Sequence, residues 1–333
     1  MDRKARKVMV TGGAGYVGSR LVPKLLDAGY EVVVFDLYLY GEQGLAPVRG
    51  NPNLTEIRGD LRDPAAVERA VAGADTVIHL ACISNDPSFE LDPDLGKSIN
   101  YDCFPGLVRA SKDAGVTRFV YASSSSVYGV KQEEHVTENL SLEPLTDYSK
   151  FKAMCEELLT DAREKGFETL ILRPATVCGY APRLRLDLSV NIMTNHAVNN
   201  RAIRVFGGSQ VRPNIHIEDM TDLYVQTVSL PSELVDGKIY NAGYYNQTIG
   251  QIAETTRDVV GPDVTINVEP TNDLRSYRIN SDLIKRELGF EAKRDIATAV
   301  RDLVSAFERG LIPDPMNDPR YFNIKTMQLA GLK

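Results

Sequence analysis

This chain lacks concentrated positive charge: 38 Lys and Arg stand against 45 Asp and Glu, for a net charge of −7. Binding to nucleic-acid phosphates needs clustered Lys and Arg, so nucleic acid is excluded as the main partner. The one basic stretch, Arg3, Lys4, Arg6 and Lys7, reads as a solvated end ahead of the first strand. No apolar run approaches the roughly 18 residues of a membrane span. The apolar stretch Val8–Val10 runs straight into glycines, which is not the pattern of a secretory signal. Cysteine is scarce, and Cys82, Cys103, Cys155 and Cys178 show no paired spacing. That excludes a disulfide framework and a zinc site, and it fits reduced thiols in a cytoplasm. Internal repeats and low-complexity stretches are absent too. What remains is 333 residues, 43% hydrophobic and 25% charged. That is enough for one large α/β domain with a substantial lobe.

Lys7–Thr11 reads as a buried parallel strand. It leads into Gly12-Gly13-Ala14-Gly15-Tyr16-Val17-Gly18 and then the helical pattern Leu21, Val22, Leu25, Leu26. Glycines here permit a tight turn and close backbone approach, and the N–H groups of the following helix suit a pyrophosphate. A second strand, Glu31–Phe35, ends at Asp36, near the place, about 20 residues on, of the acid that binds an adenosine ribose. Residues 37–41 hold no Lys or Arg for a 2′-phosphate, so NAD is favoured over NADP. Strands at Thr55–Arg58, Thr76–Leu80, Arg118–Ala122 and Glu168–Leu172 follow, with helices at Pro64–Val71 and Leu95–Ala114 between them. This alternation predicts a Rossmann-type, doubly wound parallel sheet, with ligands beyond the strands' carboxyl ends. Asp60-Leu61, Leu80-Ala81 and Ser123–Ser126 all fall there. Beyond about residue 175 the rhythm loosens into a smaller α/β lobe. Helices are expected near Leu188–Val198, Glu218, Thr248–Val260, Ser281–Leu288 and Asp295–Phe307, before a Pro-rich tail. The expected division is 1–175 for the dinucleotide domain and 176–333 for a mostly substrate-binding lobe, with some segments returning to the first.

Tyr148-Ser-Lys-Phe-Lys152 opens an apolar-periodic run (Phe151, Met154, Cys155, Leu158, Leu159). It reads as the first turn of a helix capped by Thr146 or Asp147. The spacing puts Tyr148 and Lys152 on one helical face. An ammonium one turn away and the positive end of the helix dipole both favour the phenolate, which suits a phenol that takes and returns a proton.

Together, Thr11–Gly18, Asp60-Leu61, His79-Leu80-Ala81, Ser123–Gly129, Tyr148–Lys152, Leu172-Arg173-Pro174, Arg212–Asp219 and Leu288-Gly289-Phe290 resemble the extended short-chain dehydrogenase/reductase family. The resemblance is to its NAD-dependent nucleotide-sugar epimerase/dehydratase branch, which includes UDP-galactose 4-epimerase, and it covers nearly the whole chain. It implies Tyr148 as acid/base, Lys152 as the residue that holds the nicotinamide ribose, and Ser124 as the group that orients a sugar hydroxyl. It implies cofactor contacts by Gly12, Gly15, Tyr16, Val17, Gly18 and Asp36, then by Asp60, Leu61, Leu80, Ala81 and Asn100. For the nucleoside-diphosphate sugar it implies Ser84, Ser125, Thr176, Arg185, Asn191, Arg212 and Arg275. For Arg183, Arg185, Arg275 and Arg278 an ion-paired role and a diphosphate contact are both open. Ser123, Ser125 and Ser126 have the alternative of satisfying backbone groups at a strand end.

Three departures from the family pattern carry information. Dehydratases of this branch place Asp-Glu where this chain has Ser125-Ser126, which disfavours dehydration. Glu269 replaces a usual arginine, and Ser84 stands where some epimerases carry lysine. The segment Ala181–Asp187, with Arg275–Arg278, is more similar to a subgroup acting on unusual sugar nucleotides. That subgroup includes a GDP-heptose 4-dehydrogenase that keeps its reduced cofactor. The expected activity is epimerisation through transient oxidation at C4, with a 4-dehydrogenase or 4-ketoreductase as the alternative and a non-catalytic dinucleotide sensor as a third reading. A cytoplasmic homodimer, formed through Leu95–Ala114 and the Tyr148 helix, is also implied.

Overall fold

The structure, a computed structural model, describes residues 6–84, 86–271, 276 and 278–331. In chain order the first half runs β1 (Lys7–Thr11), α1 (Gly18–Asp27), β2 (Glu31–Asp36), β3 (Leu54–Arg58), α2 (Pro64–Val71) and β4 (Thr76–His79). It continues through α3 (Asp86–Phe89), α4 (Pro93–Lys97), α5 (Phe104–Asp113), β5 (Arg118–Ala122), α6 (Asp147–Ala162) and β6 (Glu168–Pro174). The second half holds β7 (Thr176–Cys178), α7 (Ser189–Asn200), β8 (Ala202–Phe206), β9 (Val211–His216), α8 (Ile217–Ser229) and β10 (Lys238–Ala242). It ends with β11 (Asn246–Thr248), α9 (Ile249–Val260), β12 (Thr265–Glu269), α10 (Asp282–Leu288), α11 (Ile296–Glu308) and α12 (Asn323–Ala330).

Seven strands form one parallel sheet in the order β3-β2-β1-β4-β5-β6-β10. Side chains alternate between its two faces, and both faces are covered, which is why its strands are apolar throughout. Val8, Val10, Val34, Ile78 and Val120 meet α1 and α8 in one layer. Met9, Val33, Phe35, Val77 and Phe119 meet α2, α5 and α6 in the other. The strand order reverses beside β1, and the cleft opens at that edge. The lobe packs α7, α9 and α11 with the parallel pair β8 and β12 around its own apolar cluster. A small three-stranded sheet, β7-β9-β11, lies beside them. Strand β10 leaves the lobe and pairs with β6 in the main sheet.

Two elements differ from the sequence reading. The expected helix 95–114 is broken by a π-turn, Ser98–Asp102. Pro105 has no N–H and its ring crowds the carbonyl four residues back, so the ladder resets, and Cys103 N donates to Ser98 O at 3.3 Å. The Pro-rich tail ends in the helix α12. Eight residues are too few to hold a helix alone, so tertiary contacts stabilise it and its local pattern is weak. All four cysteines are free thiols. Among the described residues, no helix is long and apolar enough to cross a membrane.

Candidate active site

The glycine turn approaches the neighbouring strand as closely as backbone allows. Gly12 has φ +72°, and a Cβ there would lie 2.7 Å from the Ala81 backbone. A Cβ on Gly18 would lie 2.4 Å from Gly13 O, so the start of α1 rests directly on the turn. No side chain caps α1, and its first turn holds no acid. Asp36 ends β2, and its carboxylate accepts from Ala14 N at 2.9 Å and Tyr38 N at 2.7 Å. Burial pushes the Asp36 carboxyl above the usual range against those two hydrogen bonds. Burial pushes Asp60 up as well, but the hydrogen bonds from Arg62 outweigh it and hold that carboxyl low. Thr11 and His79 join Oγ1 to Nδ1 at 2.6 Å beneath the turn. Burial, with Lys152 nearby, holds that imidazole neutral, its pKa down to about 3.

A cavity of about 350 Å³ runs from this turn across the sheet edge. Gly12, Gly15, Tyr16, Val17, Gly18, Asp36, Asp60, Leu61, Leu80 and Ala81 line one end, and Ser124, Ser125, Tyr148, Lys152 and Thr176 line the other. Its size suits a dinucleotide's reactive half. The turn, which any Cβ at residue 12 would block, fits a pyrophosphate.

Tyr148 and Lys152 reach the cavity because the start of α6 is pinned. Thr146 is the N-cap and forms a reciprocal capping box with Ser149. Thr146 Oγ1 also donates to Asp86 at 2.6 Å. Lys152 is buried and its Nζ donates to Ala122 O at 2.6 Å, 4.9 Å from the Tyr121 ring and 5.9 Å from the Tyr148 ring. Ser124 caps the turn after β5, its Oγ 2.8 Å from Ser126 Oγ, and it lines the same cavity as Tyr148. One turn beyond Lys152, Glu156 forms a buried ion pair with Arg173 at 2.6 Å. Glu156 also accepts from Ser123 Oγ, which ties α6 to β5 and β6.

The expected lowering of the Tyr148 pKa by Lys152 is not what the structure shows. Burial pushes the phenol well up, the neighbouring Cys82 and Asp86 add to that, and Arg185 and Ser124 oppose it. The ammonium donates to the Ala122 carbonyl of β5.

Several sequence-predicted contacts are spent elsewhere. Asn100 lies in the π-turn, with its Oδ1 accepting from Ile83 N at 2.8 Å and its Nδ2 donating to Ile83 O at 2.9 Å. It therefore fixes the loop after β4. Asn191 is fully buried, accepts from Gly179 N, and donates to Arg185 O and the Tyr16 hydroxyl. It holds the loop after β7 and lines neither of the two cavities described here. Arg185 is buried against the cavity, with Nε on Asp187 at 2.9 Å and Nη1 on Ser84 Oγ at 3.0 Å. Arg183 beside it lies 4.1 Å over the Tyr40 ring, and burial, reinforced by Arg185, brings its pKa down to about 10. Arg183 Nε and Arg185 Nη2 are buried without a hydrogen-bond acceptor. A second cavity of about 480 Å³ adjoins the first through Asp86, Ser126, Thr176 and Leu188. Arg212 lines it, together with His196, Arg204 and Gln210, which the sequence reading did not single out. Glu269, at the departure from the family pattern, pairs with Arg204 at 2.9 Å. Arg278 is exposed, and Arg275 lies outside the described residues. Asn323, from α12, also lines the first cavity. No motif around it marks it in the sequence.

Proteins similar to this chain match most of its length. The chain is 28% identical over 324 residues to UDP-glucuronic acid decarboxylase 1 of Arabidopsis thaliana, covering 94% of this chain and 72% of that one. It is 26% identical over 321 residues to UDP-glucose 4-epimerase of Lactobacillus helveticus, covering 88% and 96%. The crystal structure of dTDP-glucose 4,6-dehydratase from Streptomyces venezuelae, with NAD bound, superposes with a TM-score of 0.83 at 25% identity, covering 93% of this chain and 99% of that one. The model of the NAD dependent epimerase/dehydratase family matches residues 8–243, and the chain belongs to that family.

Proposed function

We propose that this protein is an NAD-dependent nucleotide-sugar epimerase that transiently oxidises a sugar hydroxyl, at C4. One observation carries the reading. Ser124, Tyr148 and Lys152 converge where the dinucleotide cavity opens into a second cavity bearing Arg204 and Arg212. A diphosphate held by guanidinium groups in the second cavity would leave its sugar against Tyr148. The relatives named as an epimerase, a dehydratase and a decarboxylase of nucleotide sugars support the substrate class.

The chemistry that NAD supplies is reversible hydride acceptance at the sugar carbon. The rest falls to this chain. Ser124 orients the sugar hydroxyl, Tyr148 takes its proton and later returns it, and Lys152 holds the nicotinamide ribose. Such positioning is worth about 7–11 kcal/mol of barrier. Dehydration is disfavoured because Ser125 and Ser126 cannot ionise at neutral pH, and Ser125 is buried.

The segment Ala181–Asp187, similar to a subgroup that includes a 4-dehydrogenase, supports a second reading, a 4-dehydrogenase or 4-ketoreductase that stops after one transfer. Incubation with UDP-, GDP-, dTDP- and CDP-sugars separates the two. An isomer without net redox change supports epimerisation, and accumulated reduced cofactor supports the alternative. Tyr148→Phe should keep NAD and nucleotide-sugar binding in calorimetry while turnover falls by about 10²–10⁴. Near-normal turnover of that variant would rule out both readings. We also propose a homodimer through α5 and α6, where Pro105, Val108 and Leu158 line a shallow depression with Arg109, Lys112, Asp113 and Glu164, and Met154 is exposed.

A further inference from the structure

The C-terminal helix α12 packs on α3 and on the loops that follow β2 and β4. We infer that α12 is part of the dinucleotide site, with Asn323 as a positioning residue, and that cofactor release requires α12 to lift away.

Asn323 is 1% exposed and lines the first cavity. Its three polar groups are used by residues from two loops that wall that cavity. Its Oδ1 accepts from Arg183 Nη2 at 2.5 Å, its Nδ2 donates to Ser84 Oγ at 3.1 Å, and its N–H donates to Asp187 Oδ2 at 2.9 Å. Arg183 also reaches the glycine turn, since its own N–H donates to Ser19 Oγ at 3.2 Å, and Ser19 lies in the first turn of α1.

Two buried guanidinium groups, those of Arg183 and Arg185, stand against the Asp187 carboxylate, and each keeps a buried N–H without an acceptor. Buried positive charge calls for an anion, and guanidinium groups suit phosphate oxygens. The pyrophosphate of a dinucleotide seated on Gly12–Gly18 is the anion this placement fits. Asn323 holds the Arg183 guanidinium in that position.

The attachment of α12 is light. Met327 packs in a small apolar cluster with Ile83 and Leu95, flanked by Leu39, Tyr40 and Ile99. An element held by so few buried contacts opens far more readily than the sheet unfolds. Opening it removes one wall of the cavity and frees Arg183 together.

The test uses the full chain loaded with NADH, chased with excess NAD and followed by the loss of NADH fluorescence. Asn323→Ala and Met327→Ala should each raise the release rate at least about tenfold, the effect of losing one buried hydrogen bond to a charged group or its equivalent in packing. Release within about twofold of the unmodified protein for both variants overturns the inference. Hydrogen exchange on the unmodified protein gives an independent readout. NADH should slow exchange of the α12 amides, and exchange there that ignores NADH overturns the inference as well. Both readouts concern the dinucleotide alone, so they stand apart from the sugar chemistry proposed above.

Discussion

Removing the Glu156 carboxylate should destabilise the protein strongly, and removing its partner too should recover much of the loss. The Glu156 and Arg173 side chains are 3% and 4% exposed, and they meet through Arg173 Nη2 at 2.6 Å and Nε at 3.0 Å. Glu156→Leu leaves a buried guanidinium without its anion and takes the carboxylate away from Ser123 Oγ. Breaking one side of such a pair costs about 3–5 kcal/mol, a large share of a typical total of about 5–15 kcal/mol. Arg173→Met should cost a similar amount, because it strands the carboxylate and takes a donor from Tyr128 Oη, 2.7 Å away, and from Glu138 O. In the double variant Glu156→Leu/Arg173→Met no charge remains buried, and only the stranded Ser123, Tyr128 and Glu138 groups are left, at about 1 kcal/mol each. The cycle should therefore show a coupling of about 3 kcal/mol or more. Urea unfolding of the apoprotein, followed by far-UV circular dichroism, measures it; the chain has no tryptophan, so tyrosine emission is the second probe. The single variants should also lose turnover, because Lys152 sits one turn before Glu156. Single costs below about 1 kcal/mol, or a double cost equal to their sum, would refute the reasoning.

Gly12→Ala should abolish NAD binding in calorimetry and lower stability by more than about 1 kcal/mol, since its φ is +72° and the Ala81 backbone lies 2.7 Å from the new methyl. His79 makes stability fall in acid. Its folded pKa, near 3, lies below the unfolded value of about 6.5, so its contribution is complete above about pH 6.5 and declines as the pH falls toward 3. Between pH 7.5 and 5.5 the unmodified apoprotein should lose about 1.4 kcal/mol more than His79→Asn; equal losses in urea titrations would refute this. For the proposed dimer, Met154→Glu with Leu158→Glu should leave a monomer in light scattering, and an unchanged mass would place the interface elsewhere.

Much of the site was legible before any coordinates. β1, β5 and α2 fall where apolar runs and a Pro-initiated helix place them, and the glycine turn and the Tyr148–Lys152 pair lie at the predicted ends. Those features depend on residues within one turn or one strand of each other, so local pattern is enough. The π-turn at Asn100 was hidden inside a longer helical pattern, although Pro105 was its visible cause. The resemblance implies Asn100 and Asn191 as ligand contacts, and their hydrogen bonds to Ile83, Gly179 and Arg185 were not legible because those partners lie in other loops.

The sequence alone determined a doubly wound parallel sheet, a glycine turn and a capped helix that carries Tyr148 and Lys152 in its first turns, because periodicity, capping and glycine sterics act between near neighbours. Only the tertiary structure decided which side chains are tied up by other residues and how deeply Tyr148 is enclosed. Burial and pairing between distant segments set both. Strand β10 joining β6, Arg183 beside the glycine turn and Asn323 against Ser84 bring together residues that no local rule connects.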